Sequence, residues 1–475
     1  MTPQHRYNPG SCVHRTAYQL LAAPLFTLTV NVAAAELPPI QKLRFNEDYS
    51  ALLTQSRSTC WPEYWKAIPL QNGAGGYLNI GGEILQRYEY TDSPVFGQDP
   101  QDRHGVWFQR YAILADLRWS SHLRLFAQLN SALESGRRGG PSPVDENKLE
   151  WQNLFVDFDI ATSNNGTLTL RPGRQEIVLG SGRLVDVREG PNVRRTFDGG
   201  RILFADNRWR LELFAVRPRE DHAGIFDDST SDRYSLWGAY GTIRQPFETV
   251  GDLDLYYLGY RDTDALYVQG SGRERRQSFG ARYWGEHGSW NWNWESLIQT
   301  GIFASGDIAA WTLATETGYR FEHFAWKPEL RFSINIASGD DDLDDTDLGT
   351  FNPLFPRGNY FSEAAVFGPR NFYNVHTFLN LLPNADWSLT ADLNLFWRLE
   401  TADGLYSPSG QIVRYPNGST AHFAVTTLSL TAEYSPVRGL VFTATHTFGK
   451  PEAFLEETGT HEFLNFTELT MQYRF

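Results

Sequence analysis

Cysteine and methionine are nearly missing from this chain of 475 residues, at two each, and only 5 lysines stand against 37 arginines. Cys12 lies in a stretch read below as removable, so Cys60 stands alone in the remaining chain and an intramolecular disulfide is excluded. Long apolar runs are lacking as well. With 41% hydrophobic residues and a mean hydropathy of −0.42, the chain has none of the repeated runs of about 20 apolar residues that a helical membrane protein needs. Positive charge is not in excess either, and a net charge of −14 argues against nucleic acid as a partner. Aromatic residues, by contrast, make up 14% of the chain (31 Phe, 22 Tyr, 15 Trp), far too many for disorder, and 41 glycines accompany them. Without its first 35 residues the chain keeps about 440, too long for one ordinary domain yet suited to one large β structure.

Residues 1–35 read as an export signal: His5, Arg6, His14 and Arg15, an apolar stretch from Leu20 to Val30, then Ala33-Ala34-Ala35 ahead of Glu36 as the mature start. A buried N-terminal helix is the competing reading, and Pro24 speaks against it. At the far end Leu469, Met471, Tyr473 and Phe475 alternate with Thr470, Gln472 and Arg474, which places the two sets on opposite faces of one strand. A terminal Phe after such alternation resembles the last strand by which outer-membrane barrels are recognised for assembly. A half-buried strand of a soluble sandwich is the bland alternative.

Between these ends the sequence predicts eighteen strands, over 77–91, 105–119, 121–134, 149–162, 166–180, 192–206, 208–222, 232–246, 249–262, 275–288, 290–303, 306–320, 325–338, 372–383, 386–399, 422–436, 439–449 and 463–475. Each exceeds the roughly 9–11 residues that a tilted strand needs to cross a bilayer. Leu123, Leu125, Ala127 and Leu129 against Arg124, Phe126, Gln128 and Asn130 show the pattern: one face is apolar enough for lipid, while the other carries charge and amide. Connections alternate too. Tight turns are expected at Ser120, 163–165, Asn207, 247–248, Ser289, 384–385 and 437–438, and long loops at 92–104, 135–148, 181–191, 263–274, 339–371, 400–421 and 450–462. Short turns on one side and long loops on the other are the layout of an outer-membrane barrel. Closure is obligatory there, because hydrocarbon offers no partner to an open strand edge. The predicted fold is therefore all-β, a closed antiparallel transmembrane barrel over 77–475, preceded by an N-terminal periplasmic segment over 36–76. That segment is Pro-interrupted and can cover the barrel mouth, plug the lumen or run beneath it.

A ring of this size leaves an aqueous lumen whose inward side chains set selectivity. Basic residues concentrate on its early strands: Arg110, Arg118, Arg124, Arg171, Arg174, Arg183, Arg188, Arg194, Arg195, Arg201 and Arg210, with Glu176 and Asp198 among the interleaved acids. One reading is an ion-pair lattice that stiffens the barrel. The other is a substrate path, a file of partly unpaired guanidinium groups along which carboxylates pass through two-pronged hydrogen bonds. Leu168 and Leu170 turn Arg171 inward, and a bulge at Pro172-Gly173 is expected to reset the phase and bring Arg174 inward as well.

Gly173-Arg174-Gln175-Glu176, Gly180-Ser181-Gly182-Arg183-Leu184-Val185, Arg188-Glu189-Gly190-Pro191-Asn192-Val193-Arg194-Arg195 and Phe197-Asp198-Gly199 together resemble the signature of the alginate-export porin family. So do Ser338-Gly339-Asp340-Asp341-Asp342 and Leu348-Gly349-Thr350-Phe351-Asn352-Pro353-Leu354-Phe355-Pro356-Arg357-Gly358-Asn359-Tyr360. The resemblance spans most of 65–475 and is to the broad family. It implies an eighteen-strand outer-membrane barrel that moves the uronate polysaccharide alginate through an Arg-lined channel.

Asp340, Asp342 and Asp344 lie in an acidic run that can hold Ca²⁺ through hard oxygen ligands, or can simply be a solvated loop tip; no other cofactor is expected. The run lacks the Gly and terminal Glu of an EF-hand loop. The stretch 348–371 is too apolar for an exposed loop and is expected either to fold into the mouth or to pack on the rim. Most tryptophans fall near strand ends, as interfacial girdles. No Gly-x-Ser-x-Gly, His-Glu-x-x-His or Cys/His metal spacing occurs, so no enzyme is expected. The leading expectation is a passive outer-membrane channel for an anionic oligo- or polysaccharide. Its partners are outer-membrane lipid, the anionic saccharide and the barrel assembly machinery. The alternatives are a porin for small organic anions and a non-transporting structural or adhesion barrel.

Overall fold

The computed structural model describes residues 37–475 apart from 55–61, 72–74, 103, 162–165, 247–249 and 360. The predicted export signal at 1–35 and the expected turns at 163–165 and 247–248 lie outside these residues. Eighteen strands among the described residues form one closed antiparallel barrel. In chain order they are β1 (Tyr77–Asp92), β2 (Val106–Arg118), β3 (Leu123–Ser135), β4 (Asn147–Ala161), β5 (Thr167–Gln175) and β6 (Phe197–Ala205). Next come β7 (Trp209–Glu220), β8 (Tyr234–Ile243), β9 (Asp252–Tyr267), β10 (Gly270–His287), β11 (Trp290–Phe303) and β12 (Gly306–Arg320). The last six are β13 (Glu329–Ala337), β14 (Phe372–Asn384), β15 (Trp387–Trp397), β16 (Phe423–Val437), β17 (Leu440–Pro451) and β18 (Leu464–Arg474). Each strand pairs with its sequence neighbours, and β1 meets β18 from Glu83–Arg474 to Asp92–Asn465. The ring therefore has no free side in its spanning zone.

Side-chain alternation decides what each wall meets. On β3, Arg124, Phe126, Gln128 and Asn130 point inward and are buried, while Leu123 and Leu125 point outward. Ile113, Ile298, Ile302 and Leu469 are likewise outward, each more than half exposed, and together such residues make an outer band suited to hydrocarbon. Trp119, Trp209, Trp290, Trp294, Trp311 and Trp387 are exposed on that wall, as expected of girdles. No helix among the described residues is long and apolar enough to cross a membrane. Inside, Glu433, Glu468, Thr470, Gln472 and Arg474 keep part of their surface accessible although a closed ring surrounds them, which marks a wet interior.

Three expectations need correction. The long loop expected at 263–274 is a two-residue hairpin at 268–269, with Tyr267 opposite Gly270. Polar residues such as Arg273 and Arg275 belong to strands that continue beyond the bilayer, where both faces meet water. The strands expected over 166–180 and 192–206 stop at Gln175 and start at Phe197, so the intervening loop is 176–196. Finally, no bulge forms at Pro172-Gly173. Pro172 pairs with Gly200 and Gly173 with Gly199, one residue against one, so the alternation runs on unbroken. Arg171, opposite Arg201, faces inward; Arg174 and Asp198, in register with outward Leu154, face the outer wall.

The N-terminal segment enters the lumen. Phe45 is buried against Phe126 and Phe155, ring centroids 5.7 and 5.2 Å away. Arg44 donates to the carbonyls of Gly82 (3.0 Å) and Phe475 (2.9 Å), and Lys66 donates to that of Ile80 (2.9 Å). These cations cover the stretch of β1 that β18 is too short to pair.

Candidate functional site

Two loops turn into the barrel because of what they carry. In 176–196, Ile177, Leu179, Leu184, Val185, Val187 and Val193 are all buried. At roughly 25 cal/mol per Å² of apolar surface, leaving them in water would cost several kcal/mol. Gly182 adopts φ +78°, and a Cβ there would lie 2.2 Å from the Asp186 carboxylate, so the turn requires glycine. The second loop, 338–371, sends Phe361 and Phe367 onto Phe372 and Phe396. The two loops then bond to each other. Asp186 N–H donates to Phe355 O (2.9 Å), and Phe355 N–H donates to Leu184 O (2.8 Å), a parallel bridge between strangers in sequence. The Phe355 ring sits edge-on to Phe197 (5.4 Å), Tyr234 (6.1 Å) and Tyr260 (5.7 Å). The result is a strap inside the lumen that narrows the passage.

Asn352 seats this strap on the wall. Its Nδ2 donates to Tyr267 Oη (3.1 Å) and Glu274 Oε1 (3.1 Å), while its Oδ1 accepts from Arg370 (3.1 Å) and from the Leu354 amide (2.9 Å). Beneath it Arg276, fully buried, bonds Glu274 (2.5 Å) and Gln299 (2.7 Å). Asn352, Arg276 and Arg370 were not among the residues that the sequence assigned to the path. Strict alternation on β10 would have turned Arg276 inward, but nothing local marks Asn352 as an anchor.

The predicted arginines resolve into pairs. Arg110 meets Glu83 at 2.7 Å; Arg118 and Arg124 share Asp116 at 3.5 and 2.6 Å; Arg171 meets Asp157 at 2.6 Å. Arg183 faces Glu295 (3.4 Å), Arg188 faces Asp221 (3.5 Å), Arg194 holds Glu176 (2.9 Å) and Arg201 holds Glu212 (2.6 Å). Burial raises the Glu176 carboxyl above its usual range even with Arg194 beside it. On the outer wall Arg174 pairs with Asp198 (2.7 Å) and Glu150 (3.4 Å), apart from the path assigned to it. Arg210 turns inward opposite Thr242, is exposed, and has no carboxylate partner among the described residues.

Arg195 is different. It stands on the strap, 5.1 Å over the Phe355 ring, and donates to Pro356 O (3.3 Å), with no carboxylate partner among the described residues. Burial and the nearby Arg188 cation push its pKa down to about 9, so it stays charged at neutral pH. On the wall of β13–β15, Asn335, Asn374 and Asn394 form an amide ladder at 2.9 and 2.8 Å, which strap Arg183 meets at Asn335 (2.9 Å).

The acidic run is knit to its own backbone. Asp340 accepts from the amides of Gly349 (3.2 Å) and Asp342 (3.2 Å), Asp342 from that of Asp344 (3.0 Å). Burial, with Asp403 and Asp345 close by, pushes the Asp340 carboxyl up to about 6. Among the described residues no three His, Cys, Asp or Glu side chains gather as metal ligands, so Asp340, Asp342 and Asp344 do not converge.

The family model for alginate export matches residues 76–447, from the start of the barrel to β17. The chain belongs to the alginate export family. Both loops that make the strap fall within the match. No curated protein matches the chain. Among solved structures this family member is similar to outer-membrane porins of the OprD family. Pseudomonas aeruginosa OccK2 (OpdF), solved in complex with glucuronate, aligns at 14% identity and TM-score 0.52 over 84% of this chain and 97% of that one. A BenF-like porin from Pseudomonas fluorescens Pf-5 aligns at 12% identity and TM-score 0.54, covering 84% and 98%. Pseudomonas aeruginosa OccD3 (OpdP) aligns at 11% and 0.54, covering 86% and 93%. At such identities the likeness is one of fold: a closed eighteen-strand barrel. Family and fold together make this chain an outer-membrane channel.

Proposed function

We propose that this channel passively conducts an anionic oligo- or polysaccharide, uronates first, and that Arg195 is where the anion is selected. One observation carries the reading: where eight arginines of the wall and strap are each matched by an acid, Arg195 presents on the strap a guanidinium with no carboxylate partner among the described residues. A carboxylate there gains a charge-assisted hydrogen bond and displaces no resident acid. The neighbouring ion pairs supply weak exchange sites, so that a chain is handed on rather than trapped. The glucuronate complex of OccK2 supports a uronate as the first ligand to try. Small organic anions are the second reading, favoured by the strap, which narrows the passage. Export by the 1–35 signal, insertion by the barrel assembly machinery through the Phe475-terminated strand and an absence of catalysis belong to the same proposal.

Reversal potentials in planar bilayers test it. Wild type is expected to prefer anions, Arg195→Ala to lose most of that preference, and Arg174→Ala, on the outer wall, to keep it. Equal preference in wild type and Arg195→Ala, or cation preference in wild type, would end the assignment.

A further inference from the structure

The N-terminal segment lies on the same wall that carries the arginines. Arg194 donates to Lys42 O (3.0 Å), Arg124 to Phe45 O (2.7 Å) and Arg118 to Glu47 O (3.3 Å). The Arg171 guanidinium lies 4.8 Å over the Phe45 ring. Three carbonyl oxygens of one short segment, which makes a 3-10 turn at Arg44–Asn46, thus occupy three guanidinium groups in turn, as the carboxylates of an acidic chain would. Lys42 Nζ reaches on to Asp186 (2.7 Å), tying the segment to the strap.

We infer that residues 42–47 are an internal occupant of the arginine wall, which an acidic saccharide chain displaces; the identity of that ligand rests on the function proposed above. The physical case is one of competition. The carbonyls are neutral acceptors, and a carboxylate bonds a guanidinium roughly twice as strongly. The segment holds its place by tethering, which for a short link acts like a concentration in the millimolar range. Lys42, whose side chain is 41% exposed, joins the segment to the strap by an ion pair with Asp186. With the segment withdrawn, Arg118, Arg124, Arg171 and Arg194 each lose a contact and keep only their acids, which are the exchangeable sites a moving polyanion needs.

Two measurements test this. The first is single-channel conductance in KCl for wild type, for a chain deleted of 37–54, and for full-length Lys42→Ala/Phe45→Ala, with heat-modifiable gel mobility reporting folding. A several-fold higher conductance and stronger anion preference in the folded variants are expected; equal conductance in wild type and the double variant overturns the inference. The second places Phe45→Cys in a cysteine-free background and follows labelling by a charged thiol reagent from the periplasmic side. Added oligogalacturonate at ten times its dissociation constant is expected to speed labelling roughly tenfold, since the released population scales with one plus ligand over Kd. Oligogalacturonate that blocks current without speeding labelling overturns displacement. If it blocks neither wild type nor deletion while the deletion conducts more KCl, the segment's role stands and the uronate reading falls.

Discussion

Asn352→Ala is the substitution that most directly separates the strap from the barrel. The wild-type side chain makes four hydrogen bonds, two of them to charged partners, Glu274 and Arg370. It is 1% exposed, so water does not replace what is lost. A hydrogen bond to a charged group nets about 1.5–3 kcal/mol and a neutral one about 1. Partial compensation follows, because Glu274 keeps Arg276 and Tyr267 (2.9 Å), and Arg370 stays between the Tyr267 and Tyr406 rings. The net expectation is about 3–4 kcal/mol lost from seating the 338–371 loop, with the barrel ladder untouched. That is a factor of several hundred in the seated-to-unseated ratio. In planar bilayers the variant should show frequent large conductance steps where wild type is quiet. Its unfolding midpoint in detergent should move little, because the eighteen-strand ladder does not pass through Asn352. A quiet trace of wild-type conductance would refute the reasoning. So would a fall in global stability of the same 3–4 kcal/mol, since it would make Asn352 part of the cooperative barrel core.

Gly280 lies opposite Tyr256, and a Cβ there would sit 2.2 Å from that ring, so Gly280→Val should cost about 1–3 kcal/mol in detergent unfolding by overpacking, while Gly200→Ala, with open space around it, costs less. Lys66 is held down to about 8 by burial and by Arg44; uncharged lysine is therefore favoured in the docked segment. The associated stability is complete above the free value of 10.5 and lost as pH falls through 8, a span worth about 3 kcal/mol, and a nitroxide at Leu53 should accordingly tighten as pH rises from 7 to 10. Asp340 runs the other way. Raised to about 6, it contributes stability that is full below its ordinary 3.8 and lost as pH rises through 6, so Asp340→Asn should flatten the pH dependence of loop fluctuations between pH 4 and 7.

What could be read beforehand follows from the range of the forces involved. Eighteen strands were legible because period-two patterning is local: Leu123 and Arg124 need only each other to declare two faces. The hairpin at 268–269 was not, because outside the bilayer Arg261, Arg273 and Arg275 need no apolar alternation to be strand. Pairing of charges was illegible for another reason. Arg124 finds Asp116 eight residues away and Asp157 thirty-three away through the stagger between strands, which composition does not encode. Arg174 failed for want of register: only the one-against-one pairing with Asp198 shows that Pro172-Gly173 leaves the phase alone. The docking of Phe45 against Phe126 and Phe155 is similarly a contact of distant segments, so a lumenal plug was one of three open readings.

The pairing also bears on how such a channel can release what it binds. Eight arginines of the inner wall and strap each have a carboxylate within reach: Arg110, Arg118, Arg124, Arg171, Arg183, Arg188, Arg194 and Arg201. Had all eight been bare, a polyanion contacting each for about 1.5–3 kcal/mol would gain about 12–24 kcal/mol, reaching nanomolar affinity and then the ceiling of non-covalent binding. Such a chain would not leave. With resident acids, each new carboxylate must replace one already in place, and the exchange is nearly neutral however many sites the chain spans. Arg195, with no resident acid among the described residues, then breaks the symmetry between anions and cations on the strap, and one such contact holds its ligand only briefly. Selectivity and release are thereby assigned to different residues, so Glu176→Gln, which leaves Arg194 only the longer contact with Glu189 (3.4 Å), should lengthen oligouronate blockades of the current, whereas Arg195→Ala should make them rarer.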